Sequence, residues 1–412
     1  IQFRMREFGL RLGTYIKAIE AALYKVRGRK CGYFPRTRFI AKGLNCRSRA
    51  RLLRRKWDSF SSPCVIVIDA KRFDAHVSKS LLQVEHSVYL RAYANKPELQ
   101  RLLAWQLINR GRTTKGLKYK VIGRRMSGDM NTALGNVVLM CVMVATFFAS
   151  QFPNMRYDML DDGDDCVIMV EKRDADAVTS RLTPVFLTYG MELTVEKAVT
   201  AFEDISFCQS SPVECGDGWR MVLDPTRVIS RSLSGTKLTH LTDVRARCQT
   251  IGKCNLVLFS GVPVLQEYSN MIIRSSSGSE AKLDVGESLW WRMRNEGVVH
   301  GTTAVKHDWA KSRSAPITTR ARLSFQRAFG LTVEEQLELE DKFRRGIFDP
   351  SVARIGSGRD DTLDHESVCY SPDHNPWGCH RNRDPLGVPG AVNAGPKRRK
   401  VEQAPSPRAW PA

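Results

Sequence analysis

The sequence predicts an α/β fold of the α+β kind, with strands interleaved among helices in the first half and helices dominating the second. Three observations predict it. Short apolar, β-branched runs at Cys64–Ile68 and Cys166–Val170 stand among segments of helical period. From Thr226 to about Ile347 helical patterns dominate. No internal repeat recurs at any plausible period, so the chain does not read as a solenoid.

Taken in order, residues 1 to 56 are strongly basic, from Arg4, Arg6 and Arg11 through the stretch Arg51 to Lys56, among helical spacings such as Ile16, Ile19 and Leu23. Such clusters read as solvated helix faces or as contacts for a polyanion. Cys64–Ile68, following Pro63, reads as a buried strand that delivers Asp69 at its C-terminal end. Tyr157–Leu160 and Cys166–Val170 read as strands flanking Asp161–Asp165, with Gly163 freeing the turn, which predicts a hairpin with four carboxylates at its tip. Thr332 and Glu335 form a capping box opening an amphipathic stretch through Leu337, Leu339 and Phe343. Beyond about Asp349 the composition turns to Pro, Gly, Ser, Asn and charge, which predicts a flexible basic tail over 349–412.

At 412 residues the chain can bury one large core or two modest ones. Sixty-four Lys plus Arg against 43 Asp plus Glu give a net charge of +21, the footprint of a protein that meets a polyanion. Nucleic acid leads, with an anionic membrane surface second. Eleven cysteines without a repeating spacing argue against a secreted disulfide framework and point to a reducing, intracellular setting. The longest apolar run, Val137–Ala149, falls short of the roughly 20 residues of a spanning helix, so no transmembrane segment is expected. The chain starts at Ile1 without a signal peptide pattern, so processing or missing upstream sequence is expected.

Four aspartates within Asp161–Asp165 repel one another unless a cation lies between them. Oxygen donors without neighbouring His or Cys favour Mg²⁺, with Mn²⁺ possible, over zinc. An acidic turn alone is often without function. Here a second carboxylate source, Asp69 with Asp74 close behind, lies in the same predicted sheet, and two metals shared between strands suit phosphoryl and nucleotidyl transfer. Between them, Ser127 and Gly128 read as a tight loop, and Thr132 and Asn136 lie one helical turn apart. The same stretch also reads as an N-capped helix, with Ser127 or Asn131 as cap.

D-x4-D, S-G-x3-T-x3-N and G-D-D, in that order, resemble motifs A, B and C of the viral RNA-dependent RNA polymerase palm. The wording of Asp69–Ser78, Arg125–Thr132 and Phe207–Gln209 resembles the tombusvirus and carmovirus type, over roughly residues 1 to 350. The resemblance implies a right-hand polymerase with an RRM-like antiparallel palm sheet. Its parts would be partial fingers with the end of motif F over 1–60, a palm over 61–225 with an inserted fingers segment at about 90–125, and a helical thumb over 226–348.

The resemblance also implies roles. Asp69, the Ala70 carbonyl, Asp164 and Asp165 would hold two Mg²⁺ ions. Asp74, Thr132 and Asn136 would read the ribose 2′-hydroxyl of the incoming nucleotide, and Ser127 and Gly128 would steer the template and translocation. Lys197 would match the basic residue of motif D that protonates pyrophosphate, and is equally a plain surface lysine. Phe207, Cys208 and Gln209 would grip the primer strand, and Arg4 and Arg6 would meet the triphosphate although the preceding basic residues of motif F are absent. Implied partners are template and nascent RNA, nucleoside triphosphates and a viral replicase auxiliary protein. The implied location is the host cytoplasm, on a membrane-associated replication complex reached indirectly.

Two rivals remain at this point. A reverse transcriptase shares the palm and metals but carries a bulky steric gate where Asp74 stands and lacks the Thr132 and Asn136 pair. A polymerase-derived RNA-binding protein without catalysis fits the charge but not the intact Asp69, Asp164 and Asp165. Cys369, His374, Cys379 and His380 fit no common zinc finger spacing. Pro396–Val401, with Lys397–Lys400 at its centre, resembles a nuclear import signal and equally a solvated basic tail, and Trp290–Trp291, followed by Arg292 and Arg294, read as core or as a stacking platform for bases.

Overall fold

The computed structural model describes residues 4–29, 32–113, 116–233, 241–278 and 313–347. The expectations for Trp290–Trp291, for the cysteines and histidines beyond Cys369 and for the tail with Lys397–Lys400 lie outside the described residues.

The elements, in chain order, are α1 (Arg6–Leu23), α2 (Cys46–Trp57), β1 (Pro63–Ala70), α3 (Phe73–His76), α4 (Lys79–Ala92), α5 (Pro97–Ala104), β2 (Ile108–Arg112) and β3 (Lys118–Ile122). Then follow α6 (Thr132–Gln151), β4 (Asp158–Asp161), β5 (Asp165–Glu171), α7 (Ala175–Thr188), β6 (Leu193–Val195), β7 (Ser210–Cys215) and β8 (Gly218–Leu223). The C-terminal helices are α8 (Pro225–Arg231), α9 (Leu241–Phe259), α10 (Leu265–Ser275), α11 (Thr319–Phe329) and α12 (Val333–Arg345). Mixed helix and antiparallel sheet is therefore the observed class, as the sequence predicts.

The central sheet has the order β4-β5-β1-β6, with all neighbours antiparallel. Both of its faces are covered, which is why β1 reads as a continuous apolar run instead of an alternating one. Cys64, Ile66, Ile68 and Ala70 enter a core with α6 and α7 residues such as Met140, Val144, Phe147 and Leu182. Val65 and Val67 enter a second core with Leu53, Trp57, Phe202 and Phe207. Each Val, Ile, Leu, Met or Phe among them contributes about 1.5–3 kcal/mol on burial, so the sheet ends are held firmly.

Helix α6 runs from Thr132 to Gln151, longer than the apolar run that the sequence displays, and by length and composition it could cross a membrane. In the fold it is a core helix: twelve of its residues are buried, from Leu134 to Phe148. Its polar first turn, Thr132 to Asn136, is what the hydropathy reading cut away.

Two other expectations are corrected. Lys56, in the basic run of α2, is not solvated: it is 0 % exposed and donates to Asp158 Oδ1 at 2.5 Å and to Thr37. The hairpin strands are Asp158–Asp161 and Asp165–Glu171, so the tip is shorter than predicted. The capping box is present, with Thr332 accepting from the Glu335 amide at 3.2 Å and Glu335 from the Thr332 amide at 2.8 Å. Beyond it Leu339 and Phe343 pack on the helical core, while Leu337 is 48 % exposed.

Candidate active site

Strand β1 ends on Asp69 and Ala70, and the hairpin β4–β5 returns beside it. The register sets Asp69 directly opposite Asp165, and the Ala70 amide donates to the Asp164 carbonyl at 3.2 Å. Asp69, Asp164 and Asp165 therefore meet at one sheet end from two separate stretches of chain. Gly163, at φ 115°, makes the turn between β4 and β5, in a backbone region that L side chains rarely enter.

The four tip aspartates expected from the sequence divide into two kinds. Asp161 is 0 % exposed, accepts from the Gly163 amide at 3.2 Å and from Cys141 Sγ at 3.5 Å, and burial holds its carboxyl well above the usual range. Asp162 is neutralised by Lys42 at 2.7 Å and Arg49 at 2.8 Å and also accepts from Cys208 Sγ at 3.3 Å. Among the described residues Asp164 and Asp165 form no ion pair, unlike Asp162.

Like charges directly opposite on paired strands are destabilising. The consequence is visible at Asp165: burial, then the charges of Asp164, Asp69 and Asp162, push its carboxyl up to about 6. A divalent cation relieves that repulsion, and the donors are all oxygen, as hard cations require. Among the described residues no three His, Cys, Asp or Glu side chains stand grouped so as to hold a metal ion. The donor chemistry and the strand register fit Mg²⁺ or Mn²⁺.

Beside Asp164 lies a cavity of about 450 Å³, lined by Lys42, Ser127, Gly128, Asp129, Thr132, Asn136, Asp162 and Gly163, among others. Ser127 and Gly128 occupy a turn closed by the Asp129 amide on the Met126 carbonyl at 2.8 Å. Thr132 and Asn136, one helical turn apart at the start of α6, both face this space, as their spacing predicts. Asn136 Nδ2 donates to Asp74 Oδ1 at 2.8 Å, so α3 and α6 bring two predicted ribose readers together. Asn136 Oδ1 is buried and has no hydrogen-bond partner among the described residues, leaving an acceptor for a donor group. Burial pushes the Asp74 carboxyl up, against the Asn136 hydrogen bond and the Arg125 charge.

A buried polar network supports this cavity wall. Asn131, at the N-cap of α6, makes no cap hydrogen bond; its Nδ2 donates to Glu85 at 2.6 Å and its Oδ1 accepts from Gln106 at 2.7 Å. Glu85 in turn pairs with Arg125, the two side chains 0 % and 1 % exposed, and accepts from the Tyr89 hydroxyl at 2.8 Å. Gly135 is required here, because a Cβ would collide with the Glu85 carboxylate and the Arg125 guanidinium. Sequence reading missed Lys42, Arg49, Glu85 and Gln106, whose partners are distant in the chain.

The remaining candidates are distributed around the site. Arg4 is engaged by Asp129 and by Asn109 at 2.5 Å, one shell behind the cavity, while Arg6 is exposed at the start of α1. Lys197 is exposed just beyond β6, whose Thr194 is paired with Asp69; its neighbour Glu196 is pushed up by burial and by the Asp69 charge. Phe207 is 1 % exposed beneath the Arg49 guanidinium, whose carbon lies 5.3 Å from the ring centroid. Cys208 and Gln209 both adopt positive φ, at 51° and 59°, in a tight turn between Phe207 and Ser210 that brings Cys208 to Asp162. Two consecutive non-glycine residues in that region are uncommon and store strain.

Comparison with known proteins shows the family. Residues 1–349 match the family described as viral RNA dependent RNA polymerase. The chain is 35 % identical over 347 residues to an RNA-directed RNA polymerase of Melon necrotic spot virus, covering 83 % of this chain and 42 % of that one. It is 35 % identical over 353 residues to that of Turnip crinkle virus, covering 83 % and 43 %, and 34 % identical over 355 residues to that of Tomato bushy stunt virus (strain Cherry), covering 85 % and 41 %. The chain thus spans less than half the length of these relatives. With a match over most of its length, the chain belongs to the viral RNA-dependent RNA polymerase family.

Proposed function

We propose that this chain is the catalytic part of an RNA-dependent RNA polymerase that extends the 3′ end of RNA by nucleotidyl transfer during replication of a positive-strand viral genome. The observation that carries the reading is the register of Asp69 against Asp165 with Asp164 alongside.

Two divalent ions, when bound, supply charge stabilisation for the attacking 3′-oxygen and the departing pyrophosphate. Asp69, Asp164, Asp165 and the Ala70 carbonyl would hold them. Asp74 orients Asn136, whose open Oδ1 accepts a hydrogen bond from the ribose 2′-hydroxyl, with Thr132 beside it. A deoxynucleotide would leave that buried acceptor unpaired, which is the physical basis of selectivity for ribonucleotides. A reverse transcriptase has no use for such a reader.

Ser127 and Gly128, on the exposed rim, steer the template base, and Phe207, Cys208 and Gln209 grip the primer strand. Arg6 and Arg4 meet the triphosphate, Arg4 through its charge while Asp129 and Asn109 keep hold of its guanidinium. Lys197 protonates pyrophosphate. In this reading 61–225 is the palm, with 1–60 and about 90–125 contributing to fingers, 226–348 the thumb and 349–412 a basic tail. The partners are template and nascent RNA, nucleoside triphosphates and an auxiliary replicase protein, at cytoplasmic membranes reached indirectly.

Purified protein is incubated with RNA template, labelled ribonucleotides and Mg²⁺. Template-length product from the wild type and none from Asp164→Ala is expected. RNA binding without product in the wild type would contradict the proposal.

A further inference from the structure

Strands β2 and β3 form a separate two-stranded ribbon whose register pairs Ile108 with Ile122, Arg110 with Lys120 and Arg112 with Lys118. Side chains alternate across a strand, so these six residues share one face. All six are exposed, whereas Asn109 and Tyr119 on the other face are buried or half-buried. The exposed face therefore carries two cation pairs set directly opposite one another.

Directly opposed like charges destabilise a ribbon, and a two-stranded ribbon has little stability to spare. A plain solvated face would interleave signs or separate the charges. Among the described residues no carboxylate forms an ion pair with any of these four cations. The grid repeats every second residue, about 6.6 Å along each strand, which suits a linear polyanion.

The ribbon is also firmly rooted. Asn109 Nδ2 donates to the Gly123 carbonyl at 2.8 Å, and Asn109 Oδ1 accepts from Arg4, which pairs with Asp129 in the cavity wall. Gly123, at φ 70°, lies so close to the Ser78–Lys79 backbone that a Cβ would not fit. On the far face the Tyr119 ring lies over Gly111, its cross-strand partner, where any Cβ would collide with it. A strand of nucleic acid resting on the cations is thereby held at a fixed place relative to the cavity.

We infer that the face of the β2–β3 ribbon formed by Arg110, Arg112, Lys118 and Lys120 is a docking surface for the phosphodiester backbone of RNA. The inference rests on the polymerase reading for its direction, toward the cavity, and on charge and register for its existence. An anionic membrane is the other polyanion to consider. The connection of the ribbon root to the cavity wall through Asn109, Arg4 and Asp129 favours RNA.

The test compares the 412-residue chain with the double variants Arg110→Ala/Lys120→Ala and Arg112→Ala/Lys118→Ala, and with Arg91→Ala/Arg101→Ala as a control on exposed helix positions. Affinity for a short RNA duplex with a single-stranded 5′ overhang is measured over a salt series. Each ribbon variant should bind about tenfold more weakly near 0.1 M salt and lose roughly 1.4–1.8 from the slope of log affinity against log salt. Its melting temperature should equal or exceed that of the wild type, since a like-charge pair is gone. The control should keep the full slope.

Equal slopes for ribbon variants and wild type overturn the inference, as does an equal loss in the control, which would make the effect one of net charge. Ribbon variants that keep the RNA slope but release phosphatidylserine vesicles bound by the wild type would assign the face to membrane and overturn it too. Asp164→Ala should make no product yet bind RNA with the full slope. Absence of product from the wild type itself would contradict the polymerase reading while leaving the ribbon measurement intact.

Discussion

Asn136 offers a buried acceptor with no hydrogen-bond partner among the described residues, and the proposed selectivity for ribonucleotides rests on that atom. Asn136→Ala should lower the preference for ribo- over deoxynucleotides by roughly tenfold or more, with RNA affinity little changed. Competition between the two nucleotide types on one template measures it; unchanged preference would remove the assignment. Asp165 provides the complementary case. With EDTA present, Asp165→Asn removes one of two opposed charges and should raise stability by up to about 1 kcal/mol, seen as a higher melting temperature. The same variant should lose product formation with Mg²⁺, and a lower melting temperature in EDTA would contradict the account of Asp69 and Asp165.

At the scale of elements, the start of α6 is held by the buried Glu85–Arg125 pair, and α4 thereby sets where Asn136 and Thr132 stand. Glu85→Ala leaves Arg125 buried without a partner and should cost about 3–5 kcal/mol in denaturant unfolding. Removing the acidic partner of the exposed pair Arg345–Asp341, where the two side chains are 80 % and 41 % exposed, should cost under about 1 kcal/mol. Similar losses for both would show that burial of the pair does not matter.

How much of this was legible in the sequence depends on whether a feature is local. The β1 strand, the Asp–Gly–Asp hairpin, the Thr332 capping box and the shared face of Thr132 and Asn136 are written in neighbouring residues, and all are present. Asp161 and Asp162 are the same residue type as Asp164 and Asp165. Only the backbone hydrogen bonds of Phe39 and Ala41 to Asp161, and the arrival of Lys42 and Arg49 at Asp162, set these carboxylates apart from Asp164 and Asp165. Likewise Lys56 reads as surface in its run and is buried because Asp158 meets it from a distant strand. Partners from far along the chain leave no spacing to read.

Across the whole molecule, the net charge of +21 draws a polyanion to the surface, and two covered sheet faces keep the acidic sheet end fixed against that field. The claim that Asp69, Asp164 and Asp165 form one divalent-cation site is tested most directly by titrating Mn²⁺ into the protein with a nucleoside triphosphate and counting bound ions by electron paramagnetic resonance. The account predicts two tightly bound ions in the wild type and loss of at least one in both Asp69→Ala and Asp164→Ala. Identical binding in all three proteins would contradict it.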